Sequence, residues 1–439
     1  MHSLAISLSR AGHMITGSDD EIFDPAGTKL AEEGLLPENQ GWFPEKITAD
    51  LDIVILGMHA HKDNPELQKA LDSGIKVYSY PEFLYNQTLN KKRVVIAGSH
   101  GKTTITSMVM HVLNYHGYGF DYMAGSKPEG FDNMVRLSGE SGIAVFEGDE
   151  YLSSCVDPRP KFHVYQPQLA LISGIAWDHI NVFPTWQNYV DQFRTFISGI
   201  PAGGCLVYCD EDTELRTIAV TNKQIRVIPY TTPSYTVKNG TTGILHNGRT
   251  YELKIFGRHN MQNLEGARHI CNELGISDIL FYEAITYFSG AVKRLQMLGK
   301  NEHTAVFLDF AHSPSKVEAT VNAVREQFSG RKVIACLELH TYSSLNKNFL
   351  DQYRNSMNRA DTGIVYYSPD TVLHKRLPMI TPDDITKAFG RDDLHVFTVR
   401  NDLEEFIRKQ QKQNSVVLLM SSGNFSGIDF KTFTEEILN

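Results

Sequence analysis

The residues best equipped for chemistry stand in one short run, Gly98-Ser99-His100-Gly101-Lys102-Thr103-Thr104, directly after the apolar Val94-Val95-Ile96-Ala97. Glycines there let backbone N–H groups approach oxyanions, and a following helix adds positive potential at its N-terminus. Lys102 can reach β- and γ-phosphates, and the Thr103 hydroxyl can ligate Mg²⁺. The strict nucleotide-loop pattern is not met, because position 96 is Ile rather than Gly. A plain glycine-rich strand–helix turn is the alternative, and the strand–loop–helix context favours the phosphate cradle.

Other groups gain meaning beside that loop. Glu147-Gly148-Asp149-Glu150 follows the apolar run ending at Phe146, and a carboxylate at a strand's carboxyl end can hold Mg²⁺ against a nucleotide. Asp178-His179 follows the run Leu169–Ile172 and offers a further metal ligand. Asn260 and Asn263 can hydrogen-bond a purine or merely cap a helix. Lys293-Arg294 can neutralise phosphate or be ordinary surface charge. Asp309, after the run ending at Leu308, can hold a ribose. Taken singly, each of these signals is weak.

These groups must be positioned by α/β elements. Short apolar runs at 53–56, 94–97, 143–146, 169–172, 305–308, 333–336 and 416–420 read as strands buried on both faces. Helical periodicity lies between many of them, as in Ile105, Met108, Val109 and Val112. This alternation predicts α/β domains with parallel sheets. The 439 residues suggest about three domains. Polar breaks fall at 87–92 and 298–303, and Asn239-Gly240 and Asn247-Gly248 predict hairpin turns in an antiparallel excursion of the middle segment. The N-terminal residues read as a helix over 1–11 and a strand over 13–17 that ends at Ser18-Asp19, an acidic group suited to a ribose. The first strand and glycine turn of that unit are missing, so the chain is expected to begin inside the first helix.

Composition excludes several classes. Apolar residues make up 41% and charged residues 21%, as in an ordinary globular protein. The net charge of −9 implies no basic nucleic-acid surface. No run is long enough for a membrane span, and the first residues lack the features of a signal peptide. Five cysteines without a CxxC pair predict no disulfide framework, and Cys205 and Cys209 read as core. A cytoplasmic location is expected.

Together and in this order, the loop 98–104, Glu147-Gly148-Asp149-Glu150-Tyr151, Asp178-His179, His259-Asn260-Met261-Gln262-Asn263, Lys293-Arg294 and Asp309-Phe310-Ala311-His312-Ser313-Pro314 resemble the Mur ligase family, which builds the peptide of bacterial peptidoglycan on a UDP-sugar. The resemblance implies three domains: a Rossmann-like UDP-N-acetylmuramate domain at 1–91 lacking its first strand, a P-loop ATP domain at 92–298, and a Rossmann-like amine-substrate domain at 299–439. It implies an ATP- and Mg²⁺-dependent ligase that activates the lactyl carboxylate as an acyl phosphate. Lys102, Glu147 and His179 would be catalytic, with Thr103, Glu147 and His179 holding metal. Gly98, Ser99, His100, Gly101, Lys102, Thr103, Thr104, Asn260, Asn263, Arg294 and Asp309 would hold the nucleotide. Ser18 and Asp19 would face the UDP-sugar, and His312 and His340 the amine.

Within the family, the UDP-N-acetylmuramate branch is the nearest in pattern. Its amine is either L-alanine or the tripeptide L-alanyl-γ-D-glutamyl-meso-diaminopimelate. Tyr151, the block 161–184 and Ser421-Ser422-Gly423-Asn424-Phe425-Ser426-Gly427-Ile428 resemble the tripeptide type. His340 stands where both types usually carry an Arg facing substrate carboxylates, and Lys347, Lys375 and Arg376 are candidates to replace it. Arg194 stands where several other members have a carbamylated lysine, so no carbamate is expected. A catalytically degenerate UDP-sugar-binding protein and an unrelated P-loop ATPase are the readings of other classes.

Overall fold

The computed structural model describes residues 1–177, 182–410 and 414–439. Asp178 and His179 therefore lie outside the described residues. Contacts gather into two units, one comprising 1–177, 182–231 and 266–278, the other 232–265 and 279–439.

The first unit is built on two sheets. β1 (Ile53–Leu56) and β2 (Lys76–Ser79) pair in parallel across the helix Pro65–Asp72, whose cap Asn64 accepts from Leu67 N at 3.0 Å. The second sheet holds β3 (Lys92–Ala97), β4 (Asp121–Met123), β5 (Val135–Arg136), β6 (Ile143–Glu147), β7 (Leu169–Ile172), β8 (Cys205–Cys209) and β9 (Arg226–Tyr230). Their order is β5-β4-β6-β3-β7-β8-β9, parallel except for the β4–β5 pair. The near-continuous apolar runs are buried because helices cover a parallel sheet on both faces. On the helix Lys102–Tyr115, Ile105, Met108, Val109 and Val112 are all fully buried.

β3 is the hinge of the topology. The chain first builds outward on its β6 side and later on its β7 side, so the carboxyl ends of β3, β6 and β7 flank a switch point, where open α/β sheets bind ligands.

The helix His2–Arg10 forms as expected and buries Leu4, Ile6 and Leu8. It is tied down by Asn133 Nδ2 donating to Ser3 O at 2.8 Å and Leu137 N donating to Ser7 Oγ at 3.0 Å. The strand expected at 13–17 does not form. β1 and β2 bond only to each other, so no ladder reaches those residues, and Met14 is 99% exposed. A strand without a partner leaves its backbone groups to water and gains nothing from extension. Only an isolated antiparallel bridge joins Asp19 to Gly41.

The second unit opens with the antiparallel meander β10 (Tyr235–Lys238), β11 (Thr241–His246) and β12 (Arg249–Leu253). Both turns have two positive-φ residues, Asn239 and Gly240 at 53° and 74°, Asn247 and Gly248 at 50° and 77°. This is the type I′ geometry that the two Asn-Gly pairs predict. The meander makes its contacts within this unit, although the sequence reading counts it with 92–298. Thr242 Oγ1 donates to Gln327 Oε1 at 2.8 Å, and Gln327 Nε2 donates to Gly240 O at 2.6 Å.

The main sheet of this unit comprises β13 (Gln296–Lys300), β14 (Thr304–Asp309), β15 (Lys332–Glu338), β16 (Thr362–Tyr366), β17 (His395–Phe397) and β18 (Ser415–Met420), in the order β13-β14-β18-β15-β16-β17. All neighbours are parallel except β13 and β14. The stretch 298–303, read as a break, is thus half strand and half hairpin turn. Its sequence, Leu298-Gly299-Lys300-Asn301-Glu302-His303, hides an edge strand that needs few apolar residues. Separate apolar clusters cover the two faces of the sheet, around Phe307, Leu337 and Tyr353 on one side and Ile364, Leu419 and Phe433 on the other.

Among the described residues, no helix is long and apolar enough to cross a membrane, and all five cysteines are free. Burial in β8 pushes the Cys205 and Cys209 thiols up to about 11, as befits core residues.

Candidate active site

The loop after β3 is shaped by two left-handed glycines. Gly98 has φ +121°, and a Cβ there would lie 2.2 Å from Ser173 Oγ and 2.8 Å from Ser173 N. Gly101, at φ +78°, caps the helix Lys102–Tyr115. No L side chain adopts both conformations cheaply, so the loop requires glycine at these points. His100 O accepts from Ser173 Oγ, which ties the loop to the segment after β7.

Lys102 turns back over this loop. Its Nζ donates to Gly98 O at 2.7 Å and to Glu150 Oε2 at 2.6 Å. Burial pulls the ammonium's pKa down, yet Glu150, Asp149 and Glu147 hold it above the ordinary lysine value. It is therefore a fixed positive charge at the switch point. Asp149 is itself engaged by Lys161 Nζ at 2.9 Å. Thr104, in the first turn of the helix, is buried.

Thr103 and Glu147 form the second feature. Thr103 Oγ1 donates to Glu147 Oε1 at 2.7 Å, and Gly125 N donates to Glu147 Oε2 at 2.7 Å. Gly125 must lack a side chain, because a Cβ would sit 2.8 Å from Glu147 Oε1. Two hard oxygens this close are near the spacing of adjacent corners of an Mg²⁺ octahedron, whose edge is about 3.0 Å at metal–oxygen distances near 2.1 Å. Among the described residues no group of three His, Cys, Asp or Glu could hold a metal. Phosphate oxygens and waters would complete the shell, as is usual for Mg²⁺ on nucleotides.

Sequence reasoning assigned Ser99 to the nucleotide. The structure gives its hydroxyl structural partners: it accepts from Ala176 N at 2.8 Å and meets Tyr189 OH at 2.8 Å. Tyr189 in turn donates to Glu150 Oε1 at 3.1 Å. Neither Tyr189 nor the role of Glu150 was singled out from sequence. Tyr189 lies 90 residues from Ser99 in an aromatic cluster with Phe183 and Phe193, and looks like ordinary core.

In the second unit, Arg294 and Asp309 come together. Asp309 accepts from Leu295 N at 2.9 Å and from Thr320 Oγ1 at 2.7 Å, pinning the loop that carries Arg294. The Arg294 guanidinium stacks over Phe310, 4.4 Å from its ring centroid. Asn260 and Asn263 are buried in the helix Arg258–Glu273, and Asn260 Nδ2 donates back to Phe256 O at 2.9 Å. That bond ties the side chain to the segment before the helix and is not an N-cap, in which a side-chain oxygen accepts from a backbone N–H. Burial pulls the His259 imidazole's pKa down against the opposing charge of Asp309.

The amine-side residues lie at the carboxyl ends of β14, β15 and β18. His312 Nδ1 bonds Phe310 O at 2.8 Å, which makes Nδ1 the protonated nitrogen. His340 Nδ1 lies 3.8 Å from Glu338 Oε1. Glu338 is buried and accepts from Ser421 Oγ and from Phe425 N at 2.9 Å, so it anchors the 421–427 loop. Lys347, proposed as a replacement for the family arginine, is already paired with Asp384 at 2.7 Å. Lys375 is half-buried and Arg376 exposed. Arg194 is bonded to Asp191 and Glu214, both at 3.3 Å. On the UDP-sugar side, Asp19 O accepts from Gly41 N at 2.7 Å and Ser18 is half-buried.

Comparison with known proteins supplies the frame. A family model for the Mur ligase middle domain matches residues 96–271, and one for the Mur ligase glutamate ligase domain matches 293–423. The chain is 27% identical to the UDP-N-acetylmuramate–L-alanyl-γ-D-glutamyl-meso-2,6-diaminoheptandioate ligase of Escherichia coli K12, covering 98% of this chain and 94% of that protein. It is 30% identical over 380 residues to the UDP-N-acetylmuramate–L-alanine ligase of Caldicellulosiruptor saccharolyticus, covering 83% of this chain and 80% of that protein. Its fold matches a solved murein peptide ligase from Psychrobacter arcticus with a TM-score of 0.68 and 23% identity, over all of this chain and 96% of the other. The chain belongs to the Mur ligase family of ATP- and Mg²⁺-dependent amide ligases.

Proposed function

We propose that this chain joins the lactyl carboxylate of UDP-N-acetylmuramate to the amine of L-alanyl-γ-D-glutamyl-meso-diaminopimelate. The observation that carries this reading is the end-to-end similarity to the E. coli ligase of that name, over 98% of the chain. Tyr151, the 161–184 block and the 421–428 ending support it. The substrates are a nucleotide sugar, ATP and a recycled peptide, which suits a cytoplasmic enzyme.

A carboxylate is a poor acyl donor because its leaving group would be oxide. Transfer of the ATP γ-phosphoryl to the lactyl carboxylate makes an acyl phosphate. The amine attacks it, and phosphate leaves from the tetrahedral intermediate. The protein's share is positioning and charge neutralisation. Lys102, fixed at the switch point, would face the β/γ-phosphates. Thr103 and Glu147 would hold the Mg²⁺, which neutralises phosphate charge. His179 is assigned a further metal from the sequence resemblance alone. Asn260, Asn263, Arg294 and Asp309 would serve the nucleotide, and we take 1–91 as the UDP-sugar domain, 92–298 as the ATP domain and 299–439 as the amine-substrate domain. His312 and His340 would meet the amine.

L-Alanine is the second reading, favoured by the 30% identity to an L-alanine ligase. Incubating the protein with ATP, Mg²⁺, UDP-N-acetylmuramate and both amines, then weighing the products by mass spectrometry, separates the two.

A further inference from the structure

Behind Lys102 stand Glu150 and Tyr189, which take no direct part in the proposed phosphoryl transfer. Glu150 is buried to 1% exposure and Tyr189 is fully buried. Their bonds form a line with one proton order. Tyr189 has a single hydroxyl proton and donates it to Glu150 Oε1 at 3.1 Å. The 2.8 Å contact between Tyr189 OH and Ser99 Oγ must therefore be made by the serine proton. Ser99 Oγ accepts in its turn from Ala176 N at 2.8 Å. The line runs from the backbone of Ala176 through Ser99, Tyr189 and Glu150 to the Lys102 ammonium, which donates to Glu150 Oε2 at 2.6 Å.

We propose that Glu150 is a positioning residue for Lys102, and that Tyr189 and Ser99 link that position to the segment following β7. This rests on the reading of Lys102 as the phosphate-facing lysine. A lysine stem has four rotatable bonds, so its ammonium is placed only by what it touches. Here it is placed by one carbonyl and one carboxylate. The carboxylate is held from its other oxygen by a hydroxyl set in an aromatic cluster, so its own rotamer is fixed. The same segment after β7, Ser173 to Trp177, also grips the loop through Ser173 and Ser99. A shift in that segment therefore moves the lysine. The carboxylate also competes with phosphate for the ammonium in the nucleotide-free protein. Its contribution should accordingly appear in the chemical rate and not in nucleotide affinity.

The test uses the full chain with Lys102→Ala, Glu150→Gln, Glu150→Asp and Tyr189→Phe. Glutamine keeps the shape and an acceptor for Lys102 but loses the charge. Phenylalanine keeps the aromatic packing and loses only the hydroxyl. We expect Glu150→Gln to lower kcat at least about tenfold, within the range of a misplaced catalytic group. The KM for ATP should be unchanged or lower. Tyr189→Phe should lower kcat less, on the order of threefold to tenfold, with the same split. Glu150→Asp, which keeps the charge, should recover part of the Glu150→Gln loss. If Lys102→Ala is inactive while Glu150→Gln and Tyr189→Phe match wild type, the positioning role is overturned and the phosphate reading survives. If Lys102→Ala ligates as well as wild type, the phosphate reading itself fails. If Glu150→Gln raises the KM for ATP with kcat unchanged, Glu150 is a binding group and the inference is wrong. Should Glu150→Gln fail to fold, Tyr189→Phe carries the same decision.

Discussion

Replacing Lys102 by Ala tests two magnitudes at once. The first concerns the fold. The Lys102–Glu150 pair is 2.6 Å apart with side chains 13% and 1% exposed. At an effective dielectric near 20 the gross attraction is roughly 6 kcal/mol. Desolvation of both groups offsets part of it, and removing one member of such a pair costs on the order of 3–5 kcal/mol. Lys102→Ala should therefore lower the melting temperature measurably, and Lys102→Met, which refills the space, should not rescue it fully. The second magnitude concerns the rate. Loss of a fixed positive charge facing the transferring phosphoryl costs on the order of 3 kcal/mol of barrier, a hundredfold or more. The assay is phosphate release coupled to product detection, run below the variant's melting temperature and normalised to folded protein by circular dichroism. A folded variant that keeps more than about a tenth of the wild-type rate has lost less than ~1.4 kcal/mol and refutes the assigned role.

Further outcomes follow from particular contacts. Asp384 is held at about 2 by its hydrogen bond from Lys347 and those from Thr381; Lys347→Ala should move it back toward 3.8, read by NMR titration. Because that carboxyl is depressed in the folded protein, the stability it adds is present above about 3.8 and lost as pH falls toward 2, and the variant's stability should fall less steeply across that window. Gly98→Ala should destabilise by more than about 2 kcal/mol, since it adds a left-handed strain to a clash with Ser173 backbone; an unchanged melting temperature would contradict this. Glu338→Ala strips the acceptor from Ser421 and the Phe425 N–H, and should cost about 2 kcal/mol and accelerate hydrogen exchange in 421–427; exchange unchanged there would sink the anchoring role.

Much of this fold is legible in the sequence, because parallel strands buried on two faces announce themselves as apolar runs. All seven runs named from sequence are strands, and both Asn-Gly pairs turn as type I′. The failures share a cause. Residues 13–17 include Met14, Ile15 and Thr16, which suit a strand, but a strand exists only through its neighbour, and pairing is not written locally. Edge strand β13 was missed for the opposite reason: its antiparallel partner β14 supports it although its own residues are half-polar. In the site, the loop glycines, Lys102, Thr103 and Glu147 are readable from type and spacing. Tyr189 is not, because a hydroxyl aimed at Glu150 from inside an aromatic cluster has no sequence signature. The approach of Gly125 to Glu147 is hidden likewise, since only a Cβ placed in three dimensions reveals it.

The most direct test of the account is a competition. Equal concentrations of L-alanyl-γ-D-glutamyl-meso-diaminopimelate and L-alanine are offered with ATP and Mg²⁺ against limiting UDP-N-acetylmuramate, and the products are resolved by mass. The account predicts that the UDP-N-acetylmuramoyl tripeptide predominates and that its formation consumes ATP stoichiometrically. Predominance of the mono-alanyl product would assign the chain to the L-alanine ligases, and ATP hydrolysis with neither product would contradict the ligase reading altogether.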